Sequence, residues 1–191
     1  MDVVELFGRA CGEFDRRVAM VQPDQWGHFT PCSEWDVRAL VNHVTVEDLW
    51  VPPLLEGSTI EQVGDRLDGD QLGDEPQAAW RRAFTAATDA AASLESVDTA
   101  VHVSRGDIPA GDYLMEVAAD NLVHSWDLAI AVGADTELDP ELVQVVADWF
   151  VGVAEVWLVL NVMGYPISLS EAVIIESLTQ AVRGAAFAVP G

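Results

Sequence analysis

Residues 110–133, AGDYLMEVAADNLVHSWDLAIAVG, are the stretch on which the fold turns. They read as one long helix over 110–132, stopped at Gly133, the residue type that most readily takes a left-handed helix cap. Within it Asp120 and His124 stand four residues apart and share a face. At about 100° per residue they are separated by about 40° around the axis. Their direction is close to that of Val117 and Leu128, on or near the apolar stripe. An imidazole and a carboxylate aimed at an interior are costly unless paired with each other or bound to a metal.

Working outward, the rest of the chain shows the same helical period. Val3, Phe7, Cys11, Phe14 and Val18 recur at four- and three-residue steps within 2–21, before Pro23. A second helix is predicted from Ser33, as N-cap, to about Trp50, with Glu34 and Asp36 in its first turn. Val37, Leu40, Val41, Val44 and Asp48 fall roughly in line along it, and Pro52 and Pro53 end it. His43 lies at the edge of that stripe. Residues 57–75 read as a long acidic loop with at most a short helical turn. Pro76 opens a third helix over 75–95. Residues 98–109 suggest an extended connection or a short hairpin. Pro140 opens a helix to about 163, and 171–187 is a further helix in the tail. With so little strand signal, the expected fold is all-α: an up-and-down antiparallel four-helix bundle over 1–163, with additional C-terminal helices and the tail 164–191 packed on it.

Composition narrows the function classes. The chain has 191 residues, half of them hydrophobic, enough for one domain with a sizeable core. Nine cationic residues, all arginine, face 32 acidic ones, for a formal charge of -23. Such a surface repels phosphate backbones and anionic lipid, which excludes nucleic acid and membranes as expected partners. The first residues, MDVVELFGRACGEFDRR, carry acid early and do not read as a signal peptide. Two cysteines, Cys11 and Cys32, make no disulfide framework and are expected as buried thiols. A cytoplasmic setting is expected.

Two histidines lie on helices with an acid one turn away: Asp120 before His124, and Glu47 after His43. Two imidazoles from two helices plus one carboxylate make a three-ligand set with an open position, suited to zinc or another first-row divalent ion. A hydrogen-bonded helix pair is the plainer alternative. Other candidates fall short. A calcium loop read from Asp68 would put Leu72 and Ala79 where oxygen ligands are required. Cys32 precedes a helix start, but no histidine is next to it in sequence. His28 and His102 read as surface residues, and Trp80, Trp149 and Trp157 as core.

The stretches TPCSEWDVRALVNH (30–43), LWVPPLL (49–55), DGDQLGDEP (68–76) with Ala79-Trp80, and AADNLVHSWDLA (118–129) together resemble a known family. The chain is similar, over roughly residues 1–155, to metal-binding proteins related to the N-terminal domain of mycothiol-dependent maleylpyruvate isomerase, in the DinB/YfiT-like superfamily. The tail, from Tyr165-Pro-Ile-Ser onward, departs from the family pattern. The resemblance implies a DinB-type bundle holding a divalent metal, zinc or nickel, on three side chains. His43 stands at the first ligand position and His124 at the last. Asp120 stands where the isomerase has a glutamate, so either Asp120 or Glu47 supplies the carboxylate. It also implies mycothiol as co-substrate, in a thiol-dependent transferase or isomerase acting on a small electrophile. The alternative is a non-enzymatic metal- or ligand-binding module, such as a homodimer whose apolar tail covers its partner. Arg38, near His43, is a candidate anchor for a substrate carboxylate, with a surface ion pair as its plainer role.

Overall fold

The computed structural model describes residues 1–162. Its elements are α1 (Val3–Val18), α2 (Val37–Leu55), a single turn α3 (Ile60–Val63), α4 (Pro76–Ala92), a hairpin of β1 (Ala100–Val103) and β2 (Gly106–Pro109), α5 (Ala110–Val132) and α6 (Pro140–Val162). The expected all-α, DinB-like bundle is what the chain forms. The tail helix over 171–187 lies outside the described residues, as do the surroundings of Trp157.

Local chemistry sets the helix ends. Asp2 caps α1 by accepting from the Glu5 N–H at 2.8 Å. The cap of α2 is Asp36, which accepts from the Ala39 N–H at 2.8 Å, not Ser33. The chain before it is held in a turn: Thr30 Oγ1 donates to Trp35 O at 2.8 Å, and the N–H groups of Val37 and Arg38 go to the carbonyls of His28 and Trp26. That delays the helix by three residues. Nor do Pro52 and Pro53 end it; α2 runs on to Leu55, and the Glu56 N–H reaches Pro52 O at 3.0 Å. Each proline forfeits its own N–H bond and crowds the carbonyl four residues back, but the carbonyls of Pro52 and Pro53 still accept from the N–H groups of Glu56 and Ser58, so the helix completes its last turn. The cap of α5 is Gly133, at φ 70°.

The core has two apolar layers. One contains Leu6, Phe7, Val51, Leu54, Ala87, Ala91 and Leu114; the other contains Phe14, Val18, Leu40, Val41, Val44, Trp80 and Leu128. Early residues of α1 and α5 therefore share a layer with late residues of α2 and α4. So α1 and α5 run one way, and α2 and α4 the other. The direction order is up-down-down-up in place of the expected up-and-down alternation, and the acidic loop is the long crossover that makes it so. Arg38 Nη2 donates to Asp70 Oδ2 at 2.7 Å and to Gly73 O at 2.8 Å, while Asn42 Nδ2 donates to Gly69 O at 3.0 Å. These bonds return the loop to the start of α2, where α4 begins. Helices α1 and α2 each pack on α4 and α5 and face one another across the diagonal. Among the described residues, no helix is long and apolar enough to cross a membrane.

Candidate metal centre

Antiparallel packing of α2 on α5 places His43 opposite Asp120 and His124. His43 Nε2 is 3.3 Å and 3.4 Å from the two oxygens of Asp120. His124 Nε2 is 3.4 Å from Asp120 Oδ1. The two imidazoles meet edge to face, with centroids 5.2 Å apart. One ligand atom from each of the three residues lies within 4.8 Å of the others. His124 is 0% and Asp120 3% exposed; His43 is half-buried. Trp35 plates the cluster, its ring centroid 4.6 Å from that of His43 and 5.7 Å from that of His124.

The polar bookkeeping inside this cluster does not close. His124 Nε2 and Asp120 Oδ2 are both buried with no hydrogen-bond partner among the described residues, which ordinarily costs on the order of 1–3 kcal/mol per group. Their nearest polar neighbours stand 3.3 Å and 3.4 Å away without closing a hydrogen bond. A divalent cation among two imidazole nitrogens and a carboxylate oxygen would satisfy all of them at once, so the residues present fit the group that the resemblance implies.

The buried groups also shift one another's protonation. Burial opposes charge on His124, but the Asp120 carboxylate draws the imidazole well above its ordinary value. Burial likewise opposes charge on Asp120, but His124 and His43 hold it well below the usual carboxylate range. Glu47, one turn after His43, is pushed up to about 7 by burial and then by the negative charge of Asp120. It belongs to the field of the cluster but not to the three converging side chains.

The remaining candidates separate clearly. His28 is exposed, with Nδ1 3.4 Å from Ala131 O. His102 is half-buried and paired across the hairpin with Asp107 at 2.7 Å. Trp80 is fully buried, and Trp149 partly so against the core. Arg38 is committed to the crossover loop. Both thiols are buried.

Three neighbours of the cluster escape a reading of sequence spacing. Trp35 reaches the site only because of the turn before α2. Cys32, with no histidine beside it in sequence, lies in space 4.0 Å from His124 Nδ1 and 3.4 Å from Asp127 Oδ2. Asp127 Oδ2 itself lies 2.9 Å from His124 Nδ1; its signal was an acid three residues after a buried histidine. A separate polar group sits deeper, where Asn121 Nδ2 donates to Asp48 Oδ1 at 2.9 Å.

Residues 7–129 match the family described as the mycothiol maleylpyruvate isomerase N-terminal domain. Two proteins of Mycobacterium tuberculosis, described as uncharacterized and coming from strains CDC 1551 and H37Rv, are each 32% identical over 146 residues, covering 74% of this chain and 74% of their own length. No solved structure matches the chain. The all-helical bundle and these matches agree: the chain belongs to the mycothiol maleylpyruvate isomerase N-terminal domain family of the DinB/YfiT-like superfamily.

Proposed function

We propose that this protein binds one divalent cation through Nε2 of His43, a carboxylate oxygen of Asp120 and Nε2 of His124, and uses the site for thiol-dependent chemistry on a small electrophile. The observation that carries this reading is the pair of buried, unpartnered atoms, His124 Nε2 and Asp120 Oδ2, facing a third ligand atom on α2. Two imidazoles and one oxygen suit zinc, with nickel as the alternative. A divalent ion with an open position supplies Lewis acidity, which lowers the pKa of a thiol brought to it. The chain's own part is to present the donors from two rigid helices, to shield one side with the Trp35 indole, and to keep the surroundings dry through the adjoining apolar layers. The family points to mycothiol as the thiol, and to transfer or cis–trans isomerisation as the reaction.

The experiment is elemental analysis of the purified protein and of His124→Ala, paired with thiol-transfer assays. One bound ion that His124→Ala loses, with turnover of a test electrophile only when a low-molecular-weight thiol is added, supports the proposal. Turnover without thiol would instead identify a hydrolase. A second reading has its own support: His124 is fully buried and Trp35 covers both rings, so the ion would be almost enclosed. A bound ion with no turnover would make the protein a metal-binding module.

A further inference from the structure

His124 has two ring nitrogens, and the structure gives them different surroundings. Nε2 faces Asp120 and His43. Nδ1 lies 2.9 Å from Asp127 Oδ2, one turn further along α5, with both side chains wholly buried. A carboxylate oxygen only accepts, so the proton at this contact sits on Nδ1. In a neutral imidazole that leaves the lone pair on Nε2. The same Asp127 Oδ2 accepts from the Cys32 thiol at 3.4 Å, and Cys32 is tied into its turn through its N–H to Thr30 Oγ1 at 3.1 Å.

Cys32, His124 and Asp127 also bring ligand-type atoms within 4.8 Å of one another. A proton at the short Nδ1 contact occupies the place where an ion there would need a lone pair, so this group reads as a support. Helix stability does not explain it. An exposed i,i+3 pair is only a weak helix brace, whereas this one is withdrawn from water altogether. A divalent ion on the far side of the imidazole would place two positive charges beside the carboxylates of Asp120 and Asp127, with both imidazoles neutral.

We propose that Asp127 is a positioning residue for the metal centre, holding the Nδ1 proton of His124 so that Nε2 faces the ion, with the Cys32 thiol as the second donor that fixes Asp127. This rests on the ligand set proposed above. Outer hydrogen bonds of this type are ordinarily worth 10- to 100-fold in metal affinity.

The test is zinc affinity by competition with a chromophoric chelator, alongside metal-free thermal stability, for wild type, Asp127→Asn, Asp127→Ala and His124→Ala. The near-isosteric Asp127→Asn keeps an acceptor oxygen but loses the charge. Affinity should therefore fall about 10-fold in Asp127→Asn and about 100-fold in Asp127→Ala, graded independently of stability. Nitrogen-15 NMR of zinc-loaded wild type, which needs no variant to fold, should show Nδ1 of His124 protonated and Nε2 bound. Zinc bound by wild type and lost by His124→Ala, but held with unchanged affinity by both Asp127 variants, would overturn the role of Asp127 alone. Zinc on Nδ1 would overturn it too. A wild-type protein that takes up no zinc would remove the ligand set and this inference with it.

Discussion

The indole of Trp35 lies over the imidazole of His43, ring centroids 4.6 Å apart and planes 34° apart, and the same indole reaches His124. Among the described residues it is therefore the tryptophan stacked against both imidazoles of the expected ligand set. The chain has seven tryptophans, so total emission mixes several environments. Titration with nickel or cobalt, whose d electrons quench nearby indoles, should nonetheless lower the emission through Trp35 above all. In Trp35→Phe most of the metal-dependent change should vanish. An undiminished response would place the ion elsewhere.

Asp120 and Glu47 compete for the role of carboxylate ligand, and their surroundings differ. Asp120 is within 3.4 Å of both imidazoles. Glu47 influences them only as part of the local field. Asp120→Asn should lower zinc affinity at least 10-fold, in the range seen when a charged ligand partner is lost. Glu47→Gln should retain one ion per chain. Equilibrium dialysis followed by elemental analysis reads both, and the reverse order would make Glu47 the ligand.

These residues also show what was legible in the sequence and what was not. Helical period puts Asp120 and His124 on or near one apolar stripe and His43 at the edge of another; that they belong to one ligand set was implied by the family resemblance, which left Asp120 and Glu47 as alternative carboxylates. Asp48 falling in line with Leu40, Val41 and Val44 was likewise a visible sign of a buried acid. The cap of α2 was not visible, because Ser33 and Asp36 are both good caps and the choice depends on distant carbonyls, those of Trp26 and His28. The direction of α4 was hidden for a similar reason. A loop of that length can either cross the bundle or turn back, and the bonds of Arg38 and Asn42 to residues 69–73 decide it. Contacts across many residues carry no periodic signature.

The crossover loop offers a test of what holds this end of the bundle. Trp80 is wholly buried, edge-on to Phe14 at 4.8 Å, and Leu72 of the loop is buried beside it in the same layer. The Arg38–Asp70 pair is largely solvated, with side chains 37% and 52% exposed. Trp80→Ala should cost about 3–5 kcal/mol, and Arg38→Ala no more than about 1 kcal/mol. Urea unfolding of both variants checks this. A larger loss for Arg38→Ala than for Trp80→Ala would mean that the ion pair, not the apolar layer, anchors the crossover.

Asp48 should set a pH dependence of stability. Its carboxyl is fully buried between α2 and α5, bonded to Asn121 and near the buried Cys11 thiol of α1, with Glu47 and Asp120 as the charged neighbours. Burial foremost pushes it up to about 7 from an ordinary 3.8. In the unfolded chain it titrates at about 3.9. Between those values the folded protein holds a proton that the unfolded chain has released, so stability falls as pH rises through that window. The slope is at most about 1.4 kcal/mol per pH unit for one group. Below about pH 4 both states are protonated and the contribution is fully present; above about pH 7 it has been lost. Asp48→Asn keeps the shape and the polar contact but cannot ionise. In the metal-free protein the variant should therefore gain on wild type between about pH 4 and about pH 7 in urea unfolding, and level off above that. Glu47 titrates in both proteins, so its contribution largely cancels in that difference. Parallel stability curves across the window would show that Asp48 is not held protonated by the fold.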